Sequence, residues 1–222
     1  MCTSQLEPQE YESLMNRGYR KFGMACFRPV CEKCRECRPI RVLVDRFKPD
    51  RSQRRAWRDN QQLQVKLGAP RADELRVALY NRYHLAQALR KGWPLNETDA
   101  EEYALTFLTP DEDRQPVAKM PERGVSSRPA VEISVWEGGA LRALVLTDVT
   151  PNTVSAVYHY YDPDYLNRGL GTFCVLQAIE LARRLERPWV YLGYYVAGCV
   201  SMAYKARFRP HEIMGEGGVW HL

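Results

Sequence analysis

Between residues 131 and 195 the chain changes its hydrophobic period in an order that narrows the fold sharply. "VEISVWE", "ALRALVLTDVT" and "TVSAVYHYY" read as three strands, and the breaks between them, Gly138-Gly139 and Pro151-Asn152, suit tight turns. The next segment, "YDPDYLNRGLGTFCVLQAIELARRLE", puts glycines at a helix start and apolar residues at Leu170, Phe173, Leu176, Ala178, Ile179 and Leu181, a helical spacing. "PWVYLGYY" then returns to a strand. The pattern predicts an antiparallel meander, a helix and a strand, and with them an α+β fold.

The first half is less regular. A short helix over Pro8 to Arg17, with Pro near its start and Gly18 past its end, precedes strands at "MACFRP" and "RPIRVLVD", with Ser52 as cap of a basic helix and "LQVKL" as a further strand. From Asp73 to Lys91 apolar positions recur at helical spacing, and Thr98 with Glu101 has the signature of a capping box before "YALTFL". The Pro- and charge-rich stretch 110–129 reads as a loop or linker. Two regions are therefore expected: a small cysteine-bearing unit over 1–70, and a larger one over 71–222 that includes two bridging helices.

At 222 residues and 45% hydrophobic content the chain can bury a full core. Its apolar runs are short and its N-terminus is polar, so neither membrane insertion nor secretion is indicated, and a cytoplasmic protein is expected. Seven cysteines, an odd number in a reducing compartment, argue against a disulfide framework. Cys31, Cys34 and Cys37 stand at two-residue gaps in "CEKCRECRP", a run that matches part of an iron–sulfur ligand set, with zinc as the alternative. A fourth ligand is open among Cys26, Cys2 and His211, while Cys174 and Cys199 lie in apolar stretches and read as core. Against the metal stands the plainer reading of structural or exposed thiols.

Between Arg41 and Arg58 there are seven basic residues (Arg41, Arg46, Lys48, Arg51, Arg54, Arg55 and Arg58) against Asp45 and Asp50, a net of +5. The whole chain is also +5, so the other residues balance and the entire excess sits in this segment. Arginines interleaved with Phe47 and Trp57 suit phosphates and bases, and a nucleic-acid partner is expected; the bland alternative is a solvated helix face.

The C-terminal pattern resembles the core of the GCN5-related acyltransferase (GNAT) fold, and "RGLGT", Arg168 to Thr172, resembles the end of that fold's coenzyme A pyrophosphate loop. A more specific resemblance spans both halves. "GYRKFGMACFRPVCEKCRECRPIRVLVDRFKPDRSQRRAWRDN", "YHYYDPDYLNRGLGTF" and "YLGYYVAGCVSMAYKARFRPHEI" together resemble the N-end rule aminoacyl-tRNA–protein transferases, arginyl and bacterial leucyl types. The resemblance implies transfer of an aminoacyl group from charged tRNA to the N-terminal amine of a protein beginning with Asp or Glu, which marks that protein for degradation. The "CRECRPIRV" context favours Leu over Arg as the residue moved. Family members usually carry a longer segment before the Gly18-Tyr19 region, where this chain has 17 residues, and often an aromatic where this chain has Cys26.

An aminoacyl ester is already activated, so an amine attacks it without ATP, and the enzyme must position the two ends, take a proton and stabilise an oxyanion. Asp162, at the strand end beside the helix start, is the expected base, with His159 as substitute; "DPD" also suits a simple turn. Lys205 and Arg207 are the expected cations for an acidic acceptor. The donor tRNA would meet the basic residues from 41 to 58 together with Arg168, Gly169, Gly171, Thr172, Tyr161 and Tyr194, with tyrosines of "VYHYY" and "YLGYY" lining the site or packing. Two other readings stay open: a coenzyme A-dependent N-acetyltransferase, and a non-catalytic tRNA-binding or iron–sulfur sensing protein on the same scaffold.

Overall fold

A computed structural model describes residues 6–95, 97–108 and 130–222; the expected loop at 110–129 and Cys2 lie outside the described residues. In chain order the elements are α1 (Pro8–Asn16), β1 (Arg20–Phe22), β2 (Ala25–Phe27), β3 (Arg38–Leu43), α2 (Arg51–Arg58), β4 (Gln64–Gly68), α3 (Glu74–Lys91) and α4 (Ala100–Phe107). The second half follows with β5 (Ala130–Glu137), β6 (Ala140–Val149), β7 (Thr153–Tyr161), α5 (Leu170–Arg184), β8 (Trp189–Tyr195), α6 (Val200–Ala203), β9 (His211–Met214) and β10 (Trp220–His221).

The meander forms as expected. Gly138 and Gly139, with φ of 58° and 81°, supply the two positive φ values that a tight turn between β5 and β6 requires. The helix α5 then crosses over the sheet and returns the chain as β8, which pairs in parallel with β7. One sheet of eight strands results, in the order β10-β9-β3-β8-β7-β6-β5-β4.

This order bears on the expected division near residue 70. Strand β3 lies inside the sheet between β9 and β8, and β4 forms its far edge, so the N-terminal seventy residues share the core of the larger unit. Among the described residues of that segment, the hairpin of β1 and β2 makes a separate small sheet. On one face α5 buries Phe173, Val175, Ile179 and Leu181 against the strands, and on the other α3 and α4 set Leu79, Tyr83 and Tyr103 against Leu144, Leu146 and Tyr160. Covering both faces buries both sides of strands such as β5, the side of Val131, Ile133 and Val135 and the polar side of Glu132 and Ser134.

Two caps differ from the expectation. Asp50, not Ser52, caps α2, accepting from the Gln53 amide at 2.8 Å while Gln53 returns the bond by accepting from the Asp50 amide. Asp99, not Thr98, caps α4, accepting from Glu102 N at 2.8 Å. In both cases a carboxylate at a neighbouring position out-competes a hydroxyl, because it also complements the positive end of the helix.

Candidate active site

Strands β7 and β8 are paired over Thr153–Trp189, Val154–Val190 and Ser155–Tyr191. Beyond that point β8 stays with β3, β7 stays with β6, and a V-shaped gap opens between them. Parting two strands in a core exposes backbone carbonyls that need donors. Here two cations take them: Arg20 Nη2 donates to Ala156 O at 2.9 Å, and Lys205 Nζ donates to Tyr194 O at 2.7 Å. Gly193, at φ 89°, sits under both, and a Cβ there would lie 3.5 Å from Arg20 Nη2 and from Lys205 Nζ. The bend in β8 and the close approach of the two charges therefore depend on the same glycine.

A cavity of about 450 Å³ fills the gap. Its roof is the start of α5, where Gly169, Leu170, Gly171 and Thr172 line it and no side chain caps the first turn. The uncapped amides of a helix N-terminus favour negative charge. The two glycines are demanded by packing: a Cβ on Gly169 would meet Ala56 Cβ of α2 at 3.2 Å, and one on Gly171 would meet Tyr161 Cε1 at 2.9 Å. The basic helix α2 is thus pressed against the corner of the cavity, an arrangement reinforced by Asn60 Nδ2 donating to Arg168 O at 2.8 Å.

His159 and Tyr161 of β7, Lys91 and Tyr83 of α3, and Lys205 all line the cavity. Lys91 and Lys205 are the charged residues of its lining among the described residues, and no carboxylate is among them. Burial first, then the charges of Lys205 and Lys91, push the His159 imidazole down to about 4. Burial and the neighbouring Arg20 likewise bring the Lys205 ammonium down to about 8, against a smaller opposing pull from Cys199 and Cys37. Burial raises the phenols of Tyr83, Tyr158, Tyr161 and Tyr204, which therefore stay neutral donors and acceptors.

Asp162 does not reach this cavity. It is fully buried, its oxygens accept from Arg82 at 2.9 Å and Arg142 at 2.8 Å, and it caps the 3₁₀ turn Pro163–Arg168 through the Asp164 amide. The carboxylate anchors the turn that delivers α5, the plainer of the two roles its "DPD" context suggested. His159 is left as the candidate for the base.

The other expected site residues divide in the same way. Arg41 is buried in β3, bonded to Glu212 at 2.6 Å, Tyr191 at 3.0 Å and Asn16 at 3.3 Å, with the Trp189 and Trp220 rings within 4.4 and 4.1 Å of its guanidinium, so it is not part of a tRNA surface. Arg46, Lys48, Arg51, Arg54, Arg55 and Arg58 are exposed, and the last four frame a surface hollow with Ser52 on α2. Arg168 is held by Glu137 at 3.1 Å and stacks on Tyr165, which removes it from the role of a free phosphate clamp. Arg207 points outward to Ser52 at 2.7 Å, away from Lys205. Tyr194 is buried and its hydroxyl donates to Gly18 O at 2.9 Å, so it anchors the N-terminal hairpin, whereas Tyr161 does line the cavity. Lys91, Trp93 and Tyr204 are cavity residues that sequence reasoning missed; the signal for Lys91 and Trp93 was the helix stop at Gly92, which turns the end of α3 toward β7.

The cysteine run is arranged otherwise. Cys31 and Cys34 are exposed and Cys26 and Cys37 half-buried, and among the described residues no group of three or more His, Cys, Asp or Glu side chains is placed to hold a metal ion. The thiols are not gathered on a common point among the described residues, and no step at the cavity is routed through a metal. Cys174 is buried in the core as expected, but Cys199 is half-buried beside the loop. Burial first, then the charges of Cys34, Cys31 and Cys199, hold the Cys37 thiol above its ordinary value. His211, in β9, donates from Nδ1 to Phe208 O at 3.1 Å.

Comparisons with known proteins find similarity along most of the chain. The family described as arginine-tRNA-protein transferase, C terminus, matches residues 75–215, and its N-terminal counterpart matches residues 1–55. An aspartate/glutamate leucyltransferase of Stenotrophomonas maltophilia is 37% identical over 211 residues, covering 95% of this chain and 79% of the relative. One of the same name from Halorhodospira halophila is 34% identical over 223 residues, covering 98% of this chain and 85% of the relative. Among solved structures, the C-terminal domain of a putative lysylphosphatidylglycerol synthetase from Agrobacterium fabrum aligns with a TM-score of 0.50 at 12% identity, over 94% of this chain and 64% of that one. A conserved protein of unknown function from Bacteroides thetaiotaomicron aligns at 0.51 and 12% identity, over 80% and 57%. The mixed α+β fold expected from the sequence, with its meander, crossing helix and parallel return strand, is the one observed. No helix among the described residues is long and apolar enough to cross a membrane.

Proposed function

The chain belongs to the aminoacyl-tRNA–protein transferases, and on that premise we propose that the gap between β7 and β8 is where the ester of a charged tRNA meets the N-terminal amine of an acceptor protein beginning with Asp or Glu. The observation that carries this reading is the make-up of the cavity: among the described residues, two lysines and no carboxylate under an uncapped helix start, with the basic helix α2 pressed against its corner. The acceptor carboxylate pairs with Lys205 and Lys91, and the tRNA backbone follows the exposed arginines of α2.

The chemistry then needs few groups. The amine, with a pKa of about 8, attacks the ester carbonyl, and a C–N bond forms. The first-turn amides of α5 receive the oxyanion, His159 takes the proton from nitrogen, and the same proton passes to the departing ribose oxygen as the C–O bond breaks. No ATP is required, because the ester carries the driving force.

Leucine suits this cavity better than arginine. Val157, Leu166, Val175, Leu192 and Met202 give it apolar walls, and an arginyl guanidinium would meet two lysines with no counter-charge. The reading is tested by incubating the protein with leucyl- or arginyl-tRNA and peptides starting with Asp, Glu, Lys or Ala. Leu is expected in the Asp and Glu peptides; label from neither tRNA, or equal label in all four peptides, would overturn it. A place in cytoplasmic protein degradation follows from the acceptor class. An iron–sulfur cluster or zinc on Cys31, Cys34, Cys37 and Cys26 is a separate proposal, supported by the spacing alone and tested by the iron and zinc content of anaerobically purified protein.

A further inference from the structure

His159 is placed to take a proton but is held in an unfavourable setting for doing so. Two cations face it across the cavity, Lys205 from the turn after α6 and Lys91 from the end of α3. The other titratable groups around it are the phenols of Tyr83 on α3, Tyr204 beside Lys205, and Tyr158 and Tyr161 on its own strand. All four are neutral, so among the described residues no charge in the lining offsets the lysines. Lys91 is exposed, and Lys205 spends one of its three N–H groups on Tyr194 O, so both keep donors for an incoming anion.

We propose that the acidic side chain of the acceptor activates the base that serves its own amine: the Asp or Glu carboxylate pairs with Lys91 and Lys205, and the two charges opposing protonation of His159 are neutralised. Lys91 is thereby a specificity-determining residue whose effect falls on kcat as well as on binding. The idea rests on the reading of the cavity as the acceptor site. A histidine held near 4, first by burial and then by the two cations, is a weak base at neutral pH; neutralising the cations removes the electrostatic part of that depression and makes it a better proton acceptor, while the part due to burial remains. An acceptor beginning with Asn or Ala leaves the cations in place and meets an inactive base, so discrimination arises from the substrate's charge and not only from its fit.

Acceptor peptides are inert without charged tRNA, which allows a direct test on the full chain. The His159 imidazole is followed by NMR, assigned with His159→Gln, in the presence of Asp-Ala or Asn-Ala. The expected result is a rise of its titration midpoint with Asp-Ala and none with Asn-Ala, and a kcat for Asn peptides at least about tenfold below that for Asp peptides. Lys91→Gln should narrow that kcat ratio, chiefly by raising turnover of the Asn peptide. Equal midpoints with both dipeptides, while transfer to Asp peptides remains intact, would overturn the coupling alone. Absence of transfer to any peptide would overturn both the coupling and the reading beneath it.

Discussion

The cleft between β7 and β8 and the loop that carries Cys31, Cys34 and Cys37 and leads into β3 both adjoin the C-terminal end of β8, yet they are determined in opposite ways. In the cleft, neighbours fix position: Gly169 is against Ala56, Gly171 against Tyr161, and Arg20 and Lys205 take the carbonyls the parted strands expose. In the loop, residues 28–36 are all exposed, and the hydrogen bonds within it are Arg35 Nη1 to Cys31 O at 3.1 Å and a long Cys34 N to Cys31 O approach at 3.5 Å. Packing therefore dictates the geometry of the first region and leaves that of the second to whatever its thiols meet. Substitutions should separate the two regions by the kind of effect they produce.

The largest effect is expected in the cleft. Removing a general base costs about 10²–10⁴ in rate, so His159→Gln should lower kcat by that order while the protein stays folded; a loss under about threefold would move the proton transfer elsewhere. Asp162→Asn probes the scaffold beneath. Removing the buried counter-charge of Arg82 and Arg142, which are themselves partly exposed and screened by water, should cost about 1–2 kcal/mol in urea unfolding, with turnover per folded molecule retained. The reverse pattern, normal stability with abolished turnover, would restore Asp162 to the chemistry.

These two residues show what the sequence could convey. The meander, the helix and the returning strand were legible because hydrophobic period and turn glycines report local structure directly. His159 and Lys205 were legible as candidates, since each stands in a segment whose end the fold brings to the cleft. Asp162 misled because proximity in sequence to the helix start says nothing about which way a buried side chain turns, and Tyr194 because a strand tyrosine packs as readily as it lines a site; their partners, Arg82, Arg142 and Gly18, come from other segments. Arg41 misled for a similar reason: a basic run reads as one surface, but its first member belongs to a buried strand. For Lys91 the helix stop at Gly92 marked only where α3 ends; its role exists only once α3 is docked on β7.

Smaller effects follow for the electrostatics that link the cleft to its substrates. Lys205 loses its charge as pH rises through about 8, well below an ordinary lysine, so the KM for Asp peptides should climb above pH 8, while Ala peptides show no such rise. On α2, replacing Arg54 and Arg58 by Gln should leave kcat unchanged, weaken tRNA binding, and reduce the slope of log affinity against log salt by about 2, one for each phosphate no longer neutralised. An unaltered slope would take the tRNA off this helix.

The smallest effect on stability belongs to the loop, and it sharpens the contrast most. Changing Cys31, Cys34 and Cys37 together to Ser removes exposed or half-buried thiols that pack against little, so unfolding free energy in the absence of added metal should move by no more than about 0.5 kcal/mol. The same change made at Cys174, wholly buried on α5, should cost distinctly more, because a hydroxyl there is desolvated and packs less well than the thiol it replaces. If the triple variant is instead several kcal/mol less stable, and the wild-type protein carries stoichiometric iron or zinc that the variant lacks, the thiols are closed on a metal in solution and the loop acquires from that ion the rigidity its own hydrogen bonds do not supply. Transfer rates of the two proteins would then show whether that rigidity matters to the cleft next to it.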